Sequence, residues 1–147
     1  MDEIKRFSLI KPTLDTPFRI DFDWWSLHDN DWRLYLHGCL CPEHQKSFSD
    51  LRQDNHIDFV DPSTAEVVTV DGLQHVLITH CAKQPDFISK NSALVDAVFR
   101  LLLAGGNRPL SPNELGILIG RLPDTILKTL TGNRVYRGIR PYQNLNQ

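Results

Sequence analysis

The sequence has no run of about 18 apolar residues, so it predicts no helix that spans a membrane. Its first residues, MDEIKRFSLIKPTLD, are acidic at once and lack the long apolar core of a secretory signal. There is no internal repeat and no low-complexity tract. These absences favour a globular protein of the cytoplasm, and 147 residues suffice for one ordinary domain or two small ones.

Cysteine is scarce, with three residues at positions 39, 41 and 81. An odd number of cysteines in a reducing compartment favours metal ligands or reactive thiols over a disulfide framework. The chain also lacks a glycine-rich phosphate loop and an H-E-x-x-H motif. Two common signatures of nucleotide and metallohydrolase chemistry are therefore missing, and we expect a protein that is not an enzyme.

Charge is unevenly distributed along the chain. Residues 1–88 hold 8 Lys or Arg and 15 Asp or Glu, a net −7, whereas residues 89–147 hold 8 and 3, a net +5. Such a division predicts two modules with different partners, the basic one being a candidate for a polyanion surface. The alternative is that the two halves simply attract each other.

Residues 1–88 are predicted to form a small, β-rich α+β module. FRIDF reads as a strand, and WRLYLH alternates as a strand does, with Trp32, Leu34 and Leu36 on one face. Residues 38–56 look irregular, and a hairpin is predicted around DPSTAE. The segment DGLQHVLITHCA then changes to a helical period, with Asp71 as its cap and His80 and Cys81 on its inward face.

The segment HGCLCPEH concentrates residues that bind metal ions. Cys41 and His44 have C-x-x-H spacing, and in an extended segment Cys39 points to the same side as Cys41. A structural zinc needs four nitrogen or sulfur ligands in a tetrahedron. The predicted ligands are Cys39, Cys41, His44 and Cys81, with His80 as a substitute or supporting partner and His37 as a weaker candidate. The ion would staple the irregular segment to the helix.

Two other interpretations of this segment remain open. The three thiols can pack as small hydrophobic side chains without any metal. A cysteine and a histidine can also act as nucleophile and base, or a catalytic zinc can work with Glu43 as the base.

The nearby tryptophans, Trp24, Trp25 and Trp32, have acidic neighbours that repel phosphates, so we expect them in the core or in a protein contact.

Residues 89–147 are predicted to form a basic tri-helical module. Helices are expected over 92–105, from the SPNE capping box at Ser111 to Gly120, and from about Pro123 to Gly132. NRVYRGIRPY closes the chain as a strand-like segment. The apolar residues expected in the core of the last two helices are Leu115, Ile117, either Leu118 or Ile119, Ile126, Leu127 and Leu130.

The stretch SPNELGILIGRLPDTILKTL resembles the helix-turn-helix of DNA-binding and winged-helix domains. Gly116 stands where such motifs need a small residue, and Gly120 makes the turn. The resemblance implies that the last helix enters a major groove and that RVYRGIRPY is a short wing or a tail. It implies a DNA-contacting set of Arg121, Thr125, Lys128, Thr129, Arg134, Arg137 and Arg140, all on one surface.

The sequence therefore predicts a zinc-containing, transcription-associated regulator that binds double-stranded DNA, with a homodimer reading two half-sites. The acidic module would supply dimerisation or a protein-partner surface. Asp124 at the leading edge of the last helix opposes DNA binding, and the basic module can serve a protein-protein adaptor instead. A zinc-dependent hydrolase is the third hypothesis.

Overall fold

The structure is a computed structural model that describes residues 11–48, 56–60, 62–89 and 91–142. The described parts form a mixed fold of helices and short antiparallel strands. In chain order the strands are β1 (Phe18–Ile20), β2 (His56–Val60), β3 (Val67–Asp71) and β4 (Ile139–Pro141). The helices are α1 (Phe22–His28), α2 (Trp32–Cys39), α3 (Pro42–Ser47), α4 (Gly72–Thr79), α5 (Leu94–Ala104), α6 (Pro112–Ile119) and α7 (Pro123–Leu130), with a 3-10 turn at Cys81–Lys83.

Several local predictions are confirmed because a side chain fixes the end of the element. Asp71 caps α4 by accepting from the backbone of Leu73, and Ser111 with Glu114 forms the predicted capping box of α6. β2 and β3 form the predicted hairpin, with His56 opposite Asp71. Along the described residues, no helix combines the length and the apolar character needed to cross a membrane.

The strand predicted over residues 32–37 is wrong, because this segment is helix α2. Trp32, Leu34 and Leu36 alternate with more polar residues, as they would in a strand. Trp32, Leu36 and Cys39, however, also follow a helical period. The helix buries Leu36 and Cys39 and leaves Leu34 59% exposed. Helix α3 likewise lies within residues 38–56, a segment expected to be irregular, and α1 is a helix that the sequence did not predict. The first half is therefore not β-rich over the residues described.

β1 lies between two segments from the C-terminal half. It pairs antiparallel with β4, with Ile20 opposite Ile139, and Phe18 exchanges two backbone hydrogen bonds with Leu110. The Asn107 side chain extends this pairing, since it both accepts from and donates to the Ile20 backbone at 2.8 Å. The expected wing is thus a single described strand that pairs with the N-terminal segment.

One buried core draws on both halves. Trp25 is 1% exposed and packs edge-to-face on Phe99 at 5.4 Å between ring centroids, which confirms its predicted core position. Tyr35 also packs on Phe99, at 5.1 Å, and its hydroxyl donates to Asp96 at 2.7 Å. The division at residues 88 and 89 stays a prediction about independent folding units, but the described packing is shared across it.

A substitution at Gly138 tests the packing of the loop before β4 against α1. Its φ is +73°, and an added Cβ would lie 2.7 Å from Trp25 Cβ. Gly138→Ala is expected to lower the free energy of unfolding by about 1–2 kcal/mol for the left-handed backbone plus about 1–3 kcal/mol for overpacking. Gly106→Ala is the matched control, because Gly106 has φ +72° and open space around it. Equal losses for the two variants in urea titrations would contradict the close packing of α1 on this loop.

Candidate metal centre

The first part of the site is the connection between α2 and α3. α2 ends at Cys39, the backbone runs extended through Leu40 and Cys41, and Pro42 begins α3. Cys41 is therefore the N-cap of α3, and His44 lies in its first turn. Proline at the first helical position suits this geometry, since its missing N–H has no helical partner to lose. Cys41 Sγ and His44 Nδ1 consequently lie 3.0 Å apart.

The second part is the end of α4. This helix stops at Thr79, and His80 has the non-helical angles φ −123° and ψ −63° before the 3-10 turn begins at Cys81. Adjacent residues of a continuous helix diverge by about 100° around its axis. Because the helix ends here, His80 and Cys81 instead bring their ligand atoms to the same place.

Four ligand atoms meet at this point, from Cys41, His44, His80 and Cys81, and all lie within 4.8 Å of one another. The two sulfurs are 3.5 Å apart, Cys81 Sγ is 3.6 Å from His44 Nδ1, and Cys41 Sγ is 3.9 Å from His80 Nδ1. A tetrahedron with typical zinc–sulfur and zinc–nitrogen bonds has edges of about 3.8 Å between sulfurs and about 3.5 Å between sulfur and nitrogen. These three separations lie within about 0.4 Å of the tetrahedral edges, whereas the 3.0 Å between Cys41 Sγ and His44 Nδ1 is shorter than the sulfur–nitrogen edge.

The four side chains differ in their exposure to solvent. Cys81 is buried, Cys41 and His44 are half-buried and His80 is exposed. Burial raises the pKa of the Cys81 thiol to about 11, and the neighbouring Cys41 thiol adds to the effect. A bound divalent cation reverses this preference because it stabilises the thiolate. The cluster is thus compatible with a metal site, and the 3.5 Å separation of the sulfurs far exceeds the roughly 2.05 Å of a disulfide bond.

Cys39, a first-choice ligand in the sequence, lies outside this four-residue group. It is 5% exposed in the core, and burial raises its pKa to about 11. The expectation that Cys39 and Cys41 share a face assumed an extended segment, whereas Cys39 is the last residue of a helix. His80 takes the place predicted for Cys39. His37 is also outside the group, with Nε2 2.9 Å from the carbonyl oxygen of Gln45.

Some of the residues expected to contact DNA are exposed on the surface, and others contact residues of the first half of the chain. Arg121, Thr125, Lys128 and Arg134 are exposed, while Thr129 is half-buried and donates from Oγ1 to the carbonyl of Thr125. The other two arginines are half-buried and contact residues of the first half of the chain. Arg137 lies 4.0 Å from the centre of the Tyr35 ring, and Arg140 forms a 3.0 Å ion pair with Asp21.

Three apolar residues at the corner of α6 and α7 are exposed, contrary to the predicted core position of Ile117; of the alternatives Leu118 and Ile119, it is Ile119 that packs against the core. Ile117 is 83% exposed, Leu118 57% and Leu122 73%, whereas Leu115 is fully buried. The helical period contains the signal for this difference, because Leu115 and Ile119 are four residues apart and Ile117 falls between them on the opposite side.

Comparison with protein-family models, with curated proteins and with solved structures found no match to this chain. The chemistry of the centre therefore rests on its donor atoms and their spacing.

Substitutions at His80 and Cys39 separate the two ligand sets. We expect His80→Ala to purify without metal, measured as metal per chain from metal-supplemented cultures, and Cys81→Ser, a ligand in both sets, to serve as the metal-free reference. Cys39→Ala should keep its metal and lose about 1–2 kcal/mol of stability from the small cavity. Metal loss in Cys39→Ala with retention in His80→Ala would restore the ligand set predicted from the sequence.

Proposed function

We propose that the four-residue group binds zinc and that the zinc is structural. Two thiolates and two imidazoles are a donor set that zinc favours, and hard cations such as magnesium favour oxygen instead. Four protein ligands fill a tetrahedron and leave no position for a reactive water. This saturation supports a protein that is not an enzyme and argues against a zinc-dependent hydrolase.

The zinc would join two segments that otherwise make few contacts with each other. It would hold the start of α3 to the end of α4, while α2 packs against α4 and Arg33 pairs with the capping residue Asp71. Binding free energy at such a site contributes directly to folding, because the unfolded chain has no preformed site.

Removal of the metal should therefore loosen the first half. With a chelator, we expect the thermal midpoint of the full chain to fall by several degrees and to recover when zinc is added. Cys81→Ser should melt at this lower temperature with and without the chelator. An unchanged midpoint of the wild type after complete metal removal would contradict a structural role.

We further propose that the chain is a non-enzymatic adaptor that binds a protein partner at the corner of α6 and α7. The observation that carries this proposal is the cluster of exposed Ile117, Leu118 and Leu122. Large apolar side chains grouped on a surface mark interaction sites. Ile117 and Leu118 also line a cavity of about 560 Å³ that continues to Ala97 and Leu101 of α5.

The charge around this corner indicates the chemistry of the partner. Arg121 lines the same cavity as Ile117 and Leu118 and is the one charged side chain among the described residues that line it, while Lys128 is exposed on α7. An amphipathic helix with an apolar face flanked by carboxylates matches both features, because apolar anchors fill grooves while charges fix orientation. The proposed occupant is therefore an acidic amphipathic segment of another protein.

Duplex DNA is the second candidate partner, favoured by the geometry between α6 and α7. Gly116 lets the helices approach closely, since a Cβ there would lie 2.7 Å from the carbonyl oxygen of Arg121. Gly120 ends α6 in the left-handed conformation, and Thr125 and Lys128 face outward from α7. Because Arg137 lies over the Tyr35 ring and Arg140 pairs with Asp21, the candidate contacts reduce to Arg121, Thr125, Lys128 and Arg134. A duplex-binding role would still call for a homodimer on two half-sites.

A peptide titration tests the adaptor. The probe is a synthetic amphipathic helix with a leucine face and glutamate flanks, and its control has lysine flanks. We expect tighter binding of the acidic peptide, a reversed preference in Arg121→Glu and about tenfold weaker binding in Leu122→Ser. Leu27→Ser is the matched control, because Leu27 is 81% exposed outside this corner. Binding of neither peptide, or equal loss in both serine variants, would overturn the proposal.

A duplex titration across salt tests the second candidate. Binding that weakens steeply with salt, is lost in Lys128→Glu and survives in Leu122→Ser would place duplex DNA first. Absence of duplex binding at low salt would remove DNA as a partner.

A further inference from the structure

A second, polar cavity lies between α1 and the loop that precedes β4. Its volume is about 230 Å³. Helix α1 contributes one wall, and residues 134–137 contribute the other. The side chains that matter for its chemistry are His28, Arg134 and Arg137, because two of them are permanent cations and the third is a titratable imidazole.

Arg137 is held in an unusual position. Its φ is +53°, a left-handed conformation that is uncommon for residues other than glycine, and Gly138 follows with φ +73°. This backbone lays the guanidinium 4.0 Å from the centre of the Tyr35 ring. Within the described part of the chain, the guanidinium has no carboxylate or carbonyl partner. A half-buried group with five N–H donors is thus fixed in place without an acceptor.

Arg134 completes the cationic side of the cavity. Its guanidinium lies 5.2 Å from the centre of the Tyr136 ring, and it too has no acceptor among the residues described. Three other arginines, Arg33, Arg100 and Arg140, each pair with an aspartate. The two guanidinium groups of the cavity have no such carboxylate partner among the described residues.

The α1 wall offsets part of this charge. Asp29 lines the cavity, and its carboxylate accepts only from neutral donors, the Trp25 indole at 3.1 Å and the Asp31 backbone at 2.9 Å, so it keeps its negative charge. The lining therefore sets two guanidinium groups against one carboxylate. His28 stacks on Trp24 at 4.0 Å, and its Nδ1 donates to the Trp24 carbonyl. Its Nε2 is the other ring nitrogen, and it donates to an anion only when the imidazole is protonated.

We propose that this cavity binds a phosphoryl group, carried by a small phosphate ester or by a nucleic-acid backbone. Guanidinium groups pair with phosphate through two parallel hydrogen bonds, which neither aromatic ring supplies. The cavity is smaller than the roughly 300–1,000 Å³ of pockets that enclose whole drug-sized ligands. It therefore suits one phosphoryl group with the rest of the molecule outside. The inference does not depend on the adaptor, whose corner uses other residues.

Calorimetric titration of the zinc-loaded full chain tests the proposal, with phenyl phosphate and inorganic phosphate as probes. We expect saturable binding, about tenfold weaker in Arg134→Gln and in Arg137→Gln, since each loses a charge-assisted pair. Arg137→Lys should retain part of the affinity. Arg19→Gln is the matched control, because Arg19 lies 4.6 Å over the Tyr142 ring but outside this cavity.

Arg134 is exposed, so its variant keeps the test decisive if Arg137→Gln fails to fold. Binding of neither probe by the wild type, or equal weakening in Arg19→Gln, would overturn the proposal. A competition arm identifies the source of the group. Displacement of phenyl phosphate by duplex DNA assigns the site to a nucleic-acid backbone, and binding without competition assigns it to a small phosphate ester. Neither result depends on Leu122 or Arg121, so failure here and failure of the adaptor are distinguishable.

Discussion

The position of β1 between two C-terminal segments is the constraint on which the rest of the described structure depends. Phe18 exchanges backbone hydrogen bonds with Leu110, while β4 pairs along the same strand. A strand held this way cannot separate without leaving N–H and C=O groups unpaired in the interior, which costs free energy for each group. Docking of β1 carries α1 with it. Trp25 thereby meets Phe99, and the cavity beside the 134–137 loop acquires its second wall.

The four-residue Cys/His group lies at the start of α3, a helix that contributes little to the buried core. α3 buries no residue completely, so its attachment depends on the connection from α2 and on the cluster at its first turn. Cys81 reaches the cluster from the buried side and His80 from the solvent side. With the proposed zinc bound, this cluster would couple a weakly packed helix to α4, which is anchored in the core through Leu73 and Leu77. A small apolar core would gain from such a cross-link.

The arginines of the C-terminal part have different surroundings, and these decide what each can do. Arg140 is neutralised by Asp21, so the acidic first half does attract part of the basic second half. Arg121 borders an apolar corner, and Arg134 and Arg137 border a polar cavity. A count of charges along the sequence cannot distinguish these cases. Two candidate binding surfaces with different chemistry therefore replace the single positive strip expected from the helix-turn-helix resemblance.

The sequence alone determined the features that depend on neighbours within a few residues. The capping box at Ser111, the cap at Asp71, the hairpin and the left-handed end of α6 at Gly120 follow from local hydrogen bonding and backbone preference. It also identified Cys41, His44 and Cys81, because cysteine and histidine are rare and clustered. Only the tertiary structure decided that residues 32–39 form a helix, that His80 replaces Cys39 and that Ile117 is exposed. The physical reason is that each of these depends on which face packs against a distant segment, and residues 32–39 fit both periods until α4 and α5 cover one of them.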